Sequence, residues 1–211
     1  MAMLLGAAKY LAETRNFDGA VALIFQPAEE QGGGGEKMVA DGMMERFGIT
    51  EVYGMHNKPS LPVGQFAIRP GPMLASTDEF TITITGRGGH AAKPHQTVDP
   101  TVAASQIIIA AQSVVSRNLD PVGMMVVTIC SLITATDAYN IIPQTCRMTG
   151  TVRCYTEENR AMARKRLNAI IHGVASAAGA TAEVEWERGY PPTVNHADQT
   201  MFAADVAEEI A

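Results

Sequence analysis

Concentrated positive charge is what this sequence has least of. Its 16 Lys and Arg are outnumbered by 22 Asp and Glu, for a formal net charge of −6. The densest basic run, Arg164-Lys165-Arg166, falls in a helical pattern and reads as a solvated helix face. Nucleic acid, whose phosphates call for clustered Lys and Arg, is therefore not an expected partner. Cysteine is scarce too: Cys130, Cys146 and Cys154 form no C-x-x-C pair. An odd count without tight spacing argues against a disulfide framework or a zinc ribbon and predicts reduced, structural thiols. No apolar stretch reaches membrane length. The opening MAMLLGAAKYLAETRNF has no charged leader or small-residue cleavage site and is soon interrupted by Lys9 and Glu13, unlike a signal peptide or a span. The expectation is a cytoplasmic protein with no membrane partner.

What is present fits a soluble globular chain: 211 residues, 46% hydrophobic and 18% charged, enough for one large or two small domains. Leu4, Ala7, Ala8 and Leu11 share one helical face. Val21 to Phe25 form a short apolar run after Asp18-Gly19, as does a strand buried on both faces of a parallel sheet. A helix is expected over 36–47 and a second strand in EVYGMHN, ending near His56. Helix, strand, helix, strand is the rhythm of an open α/β sheet, whose ligands bind beyond the carboxyl ends of the strands, where Glu29, Glu30 and His56 fall.

The pattern changes near residue 77. Phe80, Ile82 and Ile84 alternate with Thr81, Thr83 and Thr85 as in a half-buried antiparallel strand. A helix follows with Asp99 as N-cap and Pro100 at its first position. Two β segments come next, GMMVVTICSLITA and TCRMTGTVRCY, then a long helix from the Thr156 N-cap to a stop at Gly179, then TAEVEWERG. The order βαββαβ is a ferredoxin-like unit. The expected division is 1–76, 77–190 and 191–211, with YPPTVNHADQT as a linker and a final helix in MFAADVAEEIA.

The stretch FQPAEEQGGGGE sets two carboxylates side by side before four glycines. Adjacent like charges in a cleft are relieved by a cation, so a metal ion is one candidate occupant. The glycines lack the Lys-Ser/Thr of a phosphate-binding P-loop. They suit a backbone passing close to a crowded site, and equally a flexible loop.

FQPAEEQGGGGEKM, YGMHNKP, GRGGHAAKPHQTVDP and NIIPQTCRMTGTVR, in this order and with a two-domain layout, resemble the M20 family of metal-dependent amidohydrolases, most closely its hippurate hydrolases and N-acyl-amino-acid deacylases. The resemblance implies part of an open α/β metallopeptidase catalytic domain (1–76 and 191–211) with an inserted ferredoxin-like lid and dimerisation domain (77–190). It implies Glu29 as general base, Glu30 and His56 as metal ligands, His90 as an oxyanion donor reaching an active site, often the partner subunit's, and Asn140 and Arg153 as substrate-binding residues. A guanidinium suits the carboxylate of an amino acid. Two divalent ions (Zn, Mn or Co) per full-length subunit, an N-acyl amino acid substrate and a homodimer joined by a lid-sheet edge are also implied. The family's C-G-H-D-G-H-like motif and its last His ligand are not in this sequence, so the expectation is a fragment lacking both ends. The alternatives are a catalytically incomplete piece acting only through lid dimerisation, and a dipeptidase or carboxypeptidase with the same machinery. His95, His172 and His196 are expected to be structural.

Overall fold

The computed structural model describes residues 1–30 and 33–210, which divide into two compact units, Met1–Leu61 and Pro62–Ala211. The first unit holds helices α1 (Ala2–Thr14), α2 (Gly34–Ala40) and α3 (Met43–Phe47). The single helix expected over 36–47 is broken at Asp41-Gly42, where Gly42 takes φ 79° and starts a new turn. The strands expected at 21–25 and 51–57 have no ladder partner among the described residues. A strand exists only by pairing, and Val21, Leu23, Phe25, Val52 and Met55 are left exposed.

The second unit is ordered around one antiparallel sheet of β2 (Asp78–Thr85), β4 (Met125–Thr134), β6 (Thr145–Cys154) and β7 (Thr181–Arg188), in the spatial order β4-β6-β2-β7. Its helices are α4 (Pro100–Ser113), continued by a π turn over 114–118, and α5 (Glu157–Ala177). With β2, β4, β6 and β7 as its four strands, this is the expected βαββαβ unit. Phe80, Ile82, Ile84, Met148 and Val152 meet Ala104, Ile107, Leu167 and Ile171 of the helices in the core. Cys146 and Cys154 are buried among them, and burial pushes the Cys154 thiol up to about 11, so it stays protonated and unreactive. Cys130 is exposed; all three are free.

The helix caps form as expected: Thr101 N–H donates to Asp99 Oδ1 at 2.8 Å, and Asn159 N–H to Thr156 Oγ1 at 3.2 Å. Four short strands escape the sequence reading. β1 (Gly71–Leu74) pairs with β8 (Thr193–Asn195), and β3 (Gly89–His90) pairs with β5 (Ile141–Ile142). Two to four residues carry too few alternations to signal a strand. The last helix, α6 (Ala197–Glu208), starts before the expected linker ends.

Where the chain enters and leaves the sheet, α5 clamps both passages. The guanidinium of buried Arg160 grips Asp78 through two nitrogens, Nε and Nη2, the latter 2.6 Å from Oδ1, and Nη2 also donates to Gly189 O at 2.8 Å. Arg160 Nη1 reaches Glu157, which also pairs with Arg188. Hydrogen bonding to Asp78 raises the Arg160 pKa further above its already high value, so the clamp stays charged.

Candidate active site

Two groups of candidate residues lie in different units, Glu29, Glu30 and His56 in the first and His90, Asn140 and Arg153 in the second. Glu29 and Glu30 leave a bend at 27–30, not an extended strand. Ala28 just before them takes φ 48°, a left-handed conformation that costs an alanine about 1–2 kcal/mol. The nearby glycines have a steric reason: a Cβ on Gly34 would lie 1.8 Å from Pro27 O, and one on Gly35 would lie 3.2 Å from the Gln26 amide. Gly32 lies outside the described residues.

His56 is exposed, and its Nδ1 lies 2.7 Å from Asn57 O. A carbonyl oxygen can only accept, so Nδ1 carries a proton and, in the neutral ring, Nε2 presents a lone pair. This is the backbone support that fixes a metal-binding imidazole in its ligating tautomer. His90 is set the other way. Its Nδ1 accepts from Ala92 N–H at 3.1 Å, so the neutral ring carries its proton on Nε2 and offers a donor. The backbone thus sorts the two histidines into one lone-pair donor and one proton donor.

His90 is held by register. It pairs with Ile141, and Ala91 N–H donates to Asn140 O at 2.9 Å, which brings His90 and Asn140 together. The glycines of GRGGH clear this approach: a Cβ on Gly86 would lie 2.1 Å from Val98 O, and one on Gly88 would lie 2.8 Å from Ile142 O. Arg153 is not part of that cluster. His90 and Asn140 lie at the Thr85–Thr145 end of the sheet, and Arg153 stands eight residues along β6 from Thr145, about 27 Å at ~3.4 Å per residue. Arg153 lines an open groove of about 660 Å³ on the outer sheet face with Arg147, Thr151, Glu79 and Glu185. Its Nη1 is buried without a hydrogen-bond acceptor, whereas Arg147 Nη2 donates to Thr81 Oγ1 at 3.2 Å. An unmet guanidinium nitrogen is a ready partner for a carboxylate.

The donor types in the first unit, carboxylate and imidazole, suit Zn or Mn. Their number does not: among the described residues no group of three or more His, Cys, Asp or Glu could hold an ion. His95 lies in a 3-10 turn, His172 on the exposed side of α5, and His196 at the N-cap position of α6.

Residues 1–211 match peptidase family M20/M25/M40. The chain belongs to that family. An N-acetyl-L-cysteine deacetylase of Bacillus subtilis (strain 168) is 39% identical over 209 residues, covering 99% of this chain and 50% of the relative. A hippurate hydrolase of Campylobacter jejuni is 41% identical over 207 residues, covering 98% of this chain and 54% of the relative. Among solved family structures, the Bacillus subtilis YXEP protein, a dinuclear metal binding peptidase from the M20 family, superposes with a TM-score of 0.75 at 34% identity, over 98% of this chain and 51% of that one. A protein of methicillin resistant Staphylococcus aureus reaches a TM-score of 0.87 at 32% identity, over 99% and 55%. The chain thus spans about half the length of the family relatives it matches. Among the described residues no helix is long and apolar enough to cross a membrane.

Proposed function

We propose that the whole protein is an amidohydrolase that cleaves N-acyl amino acids, of the hippurate or N-acetyl-amino-acid kind, with metal-activated water. Residues 1–76 and 191–211 belong to its catalytic domain and 77–190 form its lid. The observation that carries this reading is the opposite backbone hydrogen bonding of the two histidines at Nδ1. His56 offers Nε2 as a ligand, with Glu30 as the other ligand of this chain, and His90 offers Nε2–H to the oxyanion that forms at the scissile carbonyl. The chemistry a bound divalent ion would supply is acidification of water, bringing its pKa down to about 7. Glu29 takes the proton, Asn140 steadies the amide next to His90, and Arg153 engages the substrate carboxylate. Zn, Mn or Co as the ion, two ions per full-length subunit and a cytoplasmic location are part of the proposal; three free thiols fit a reducing compartment.

The separation of His90 and Asn140 from Arg153 along β6 exceeds the span of one small acyl amino acid. It supports a site shared between two subunits, with His90 and Asn140 entering from the partner. The sheet has one edge suited to such a dimer. β7 is guarded by Glu183, Glu185 and Glu187, whereas β4 carries no charge from Met125 to Thr134 and leaves Val126 and Ile133 exposed. Lysine at both Val126 and Ile133 is expected to weaken the dimer on the order of 100-fold by facing like charges across the axis. Sedimentation of the full-length protein checks this, and a dimer of unchanged affinity would move the interface elsewhere. The test of the reaction is release of free amino acid from N-acetyl amino acids and hippurate by the metal-loaded, full-length protein. Cleavage of unblocked dipeptides alone would favour a dipeptidase.

A further inference from the structure

We infer that Gln144 is the positioning residue for His90, an inference that rests on the proposed role of His90 as oxyanion donor. Between Thr85↔Thr145 and Gly89↔Ile142 the two segments fall out of step by one residue. Gly86, Arg87 and Gly88 on one side face only Pro143 and Gln144 on the other. This is a one-residue bulge, a device that re-aims the side chains beyond it. Pro143 has no N–H, so the backbone cannot close the ladder across the bulge.

The Gln144 side chain closes it instead. Its Nε2 donates to Gly86 O at 2.7 Å, and its Oε1 accepts from Gly88 N–H at 3.0 Å, while its backbone oxygen accepts from Gly86 N–H at 2.9 Å. The carboxamide thus stands in for a missing peptide group, offering the donor and the acceptor that a regular ladder would supply. Two residues past Gly88 the chain reaches His90. The segment Asn140 to Gln144 therefore holds the His90 segment at both ends, by Asn140 O on Ala91 N–H and by the Gln144 amide on Gly86 and Gly88. Both Gln144 side-chain bonds are solvent-exposed and contribute little to stability. Their effect is directional. An oxyanion donor works within a few tenths of an ångström, and a displacement of about 1 Å costs on the order of 100-fold in rate.

The test is steady-state hydrolysis of an N-acyl amino acid by the metal-loaded full-length protein carrying Gln144→Ala, His90→Ala or both. Gln144→Ala is expected to lower kcat about 10- to 100-fold with KM and melting temperature nearly unchanged, and to add less than about 2-fold to His90→Ala, because residues acting through one group are not additive. Effects that multiply, or a Gln144→Ala enzyme with wild-type kcat, overturn the inference while leaving His90 in place. A His90→Ala enzyme with wild-type kcat overturns the role of His90 and the inference with it. A second variant keeps the test independent of alanine's effect on folding. Gln144→Glu loses the donor to Gly86 O when ionised and regains it when protonated, so its activity relative to wild type should rise as pH falls through the carboxyl range. A flat ratio contradicts the proposal.

Discussion

Glu29→Gln in the full-length protein is expected to lower kcat by about 10²- to 10⁴-fold, the usual worth of a general base. Glutamine keeps the shape and hydrogen-bonding reach of the side chain but cannot take a proton. Its metal content, measured on the purified variant, should match wild type, because Glu30 and His56 carry the ligand role in this account. Ala28 just before the pair is left-handed and 27–30 form a bend, so the two neighbouring carboxylates leave the backbone at a turn. If Glu29→Gln instead loses metal while Glu30→Gln retains it, the two roles are exchanged.

The second large effect is on stability. Arg160→Met is expected to destabilise the four-stranded sheet by about 3–5 kcal/mol, since it strands the buried Asp78 carboxylate without a counter-charge. Arg160 and Asp78 are each 6% exposed, so little water is at hand to compensate. The substitution also removes the donors to Thr77 O and Gly189 O, which tie the incoming and outgoing strands together. Replacing Asp78 with a neutral residue in the same chain should recover part of the loss, because the uncompensated charge is then gone. Trp186 is the sole tryptophan, stands on β7 with its ring centroid 5.1 Å from that of Phe80, and reports this unfolding directly in a urea titration. A midpoint unchanged by Arg160→Met would show that the clamp is not what holds the sheet's root.

The sheet unit is legible in the sequence because its signals are local. Phe80, Ile82 and Ile84 alternate with threonines strictly enough to give strand, register face and core at once, and Asp99-Pro100 and Thr156 mark helix starts by side-chain chemistry alone. The first unit was read less well for the opposite reason. Val21 to Phe25 and Val52 to Met55 are apolar enough for strands, but a parallel strand is defined by its neighbours, and no neighbour pairs with them among the described residues. Glu29, Glu30, His56 and His90 stood out only through their motif context, because a lone acid pair or histidine has an ordinary surface reading. The tautomers of His56 and His90 are set by Asn57 O and Ala92 N–H, backbone atoms whose positions no spacing rule encodes. Gln144 gave no signal at all. Its role appears only when the one-residue slip between 85↔145 and 89↔142 is seen beside a proline that cannot donate.

In the shared site proposed above, catalysis needs Glu29 of one subunit and His90 of the other. Full-length Glu29→Gln and His90→Ala subunits, each nearly inactive, can be mixed, dissociated and reassociated. In a mixed dimer one site then combines both substitutions and the other combines neither, so a random mixture should recover about a quarter of the wild-type rate. Recovery to that level supports a shared site. A reassociated mixture, verified as mixed dimers, that stays as inactive as its parents would contradict it.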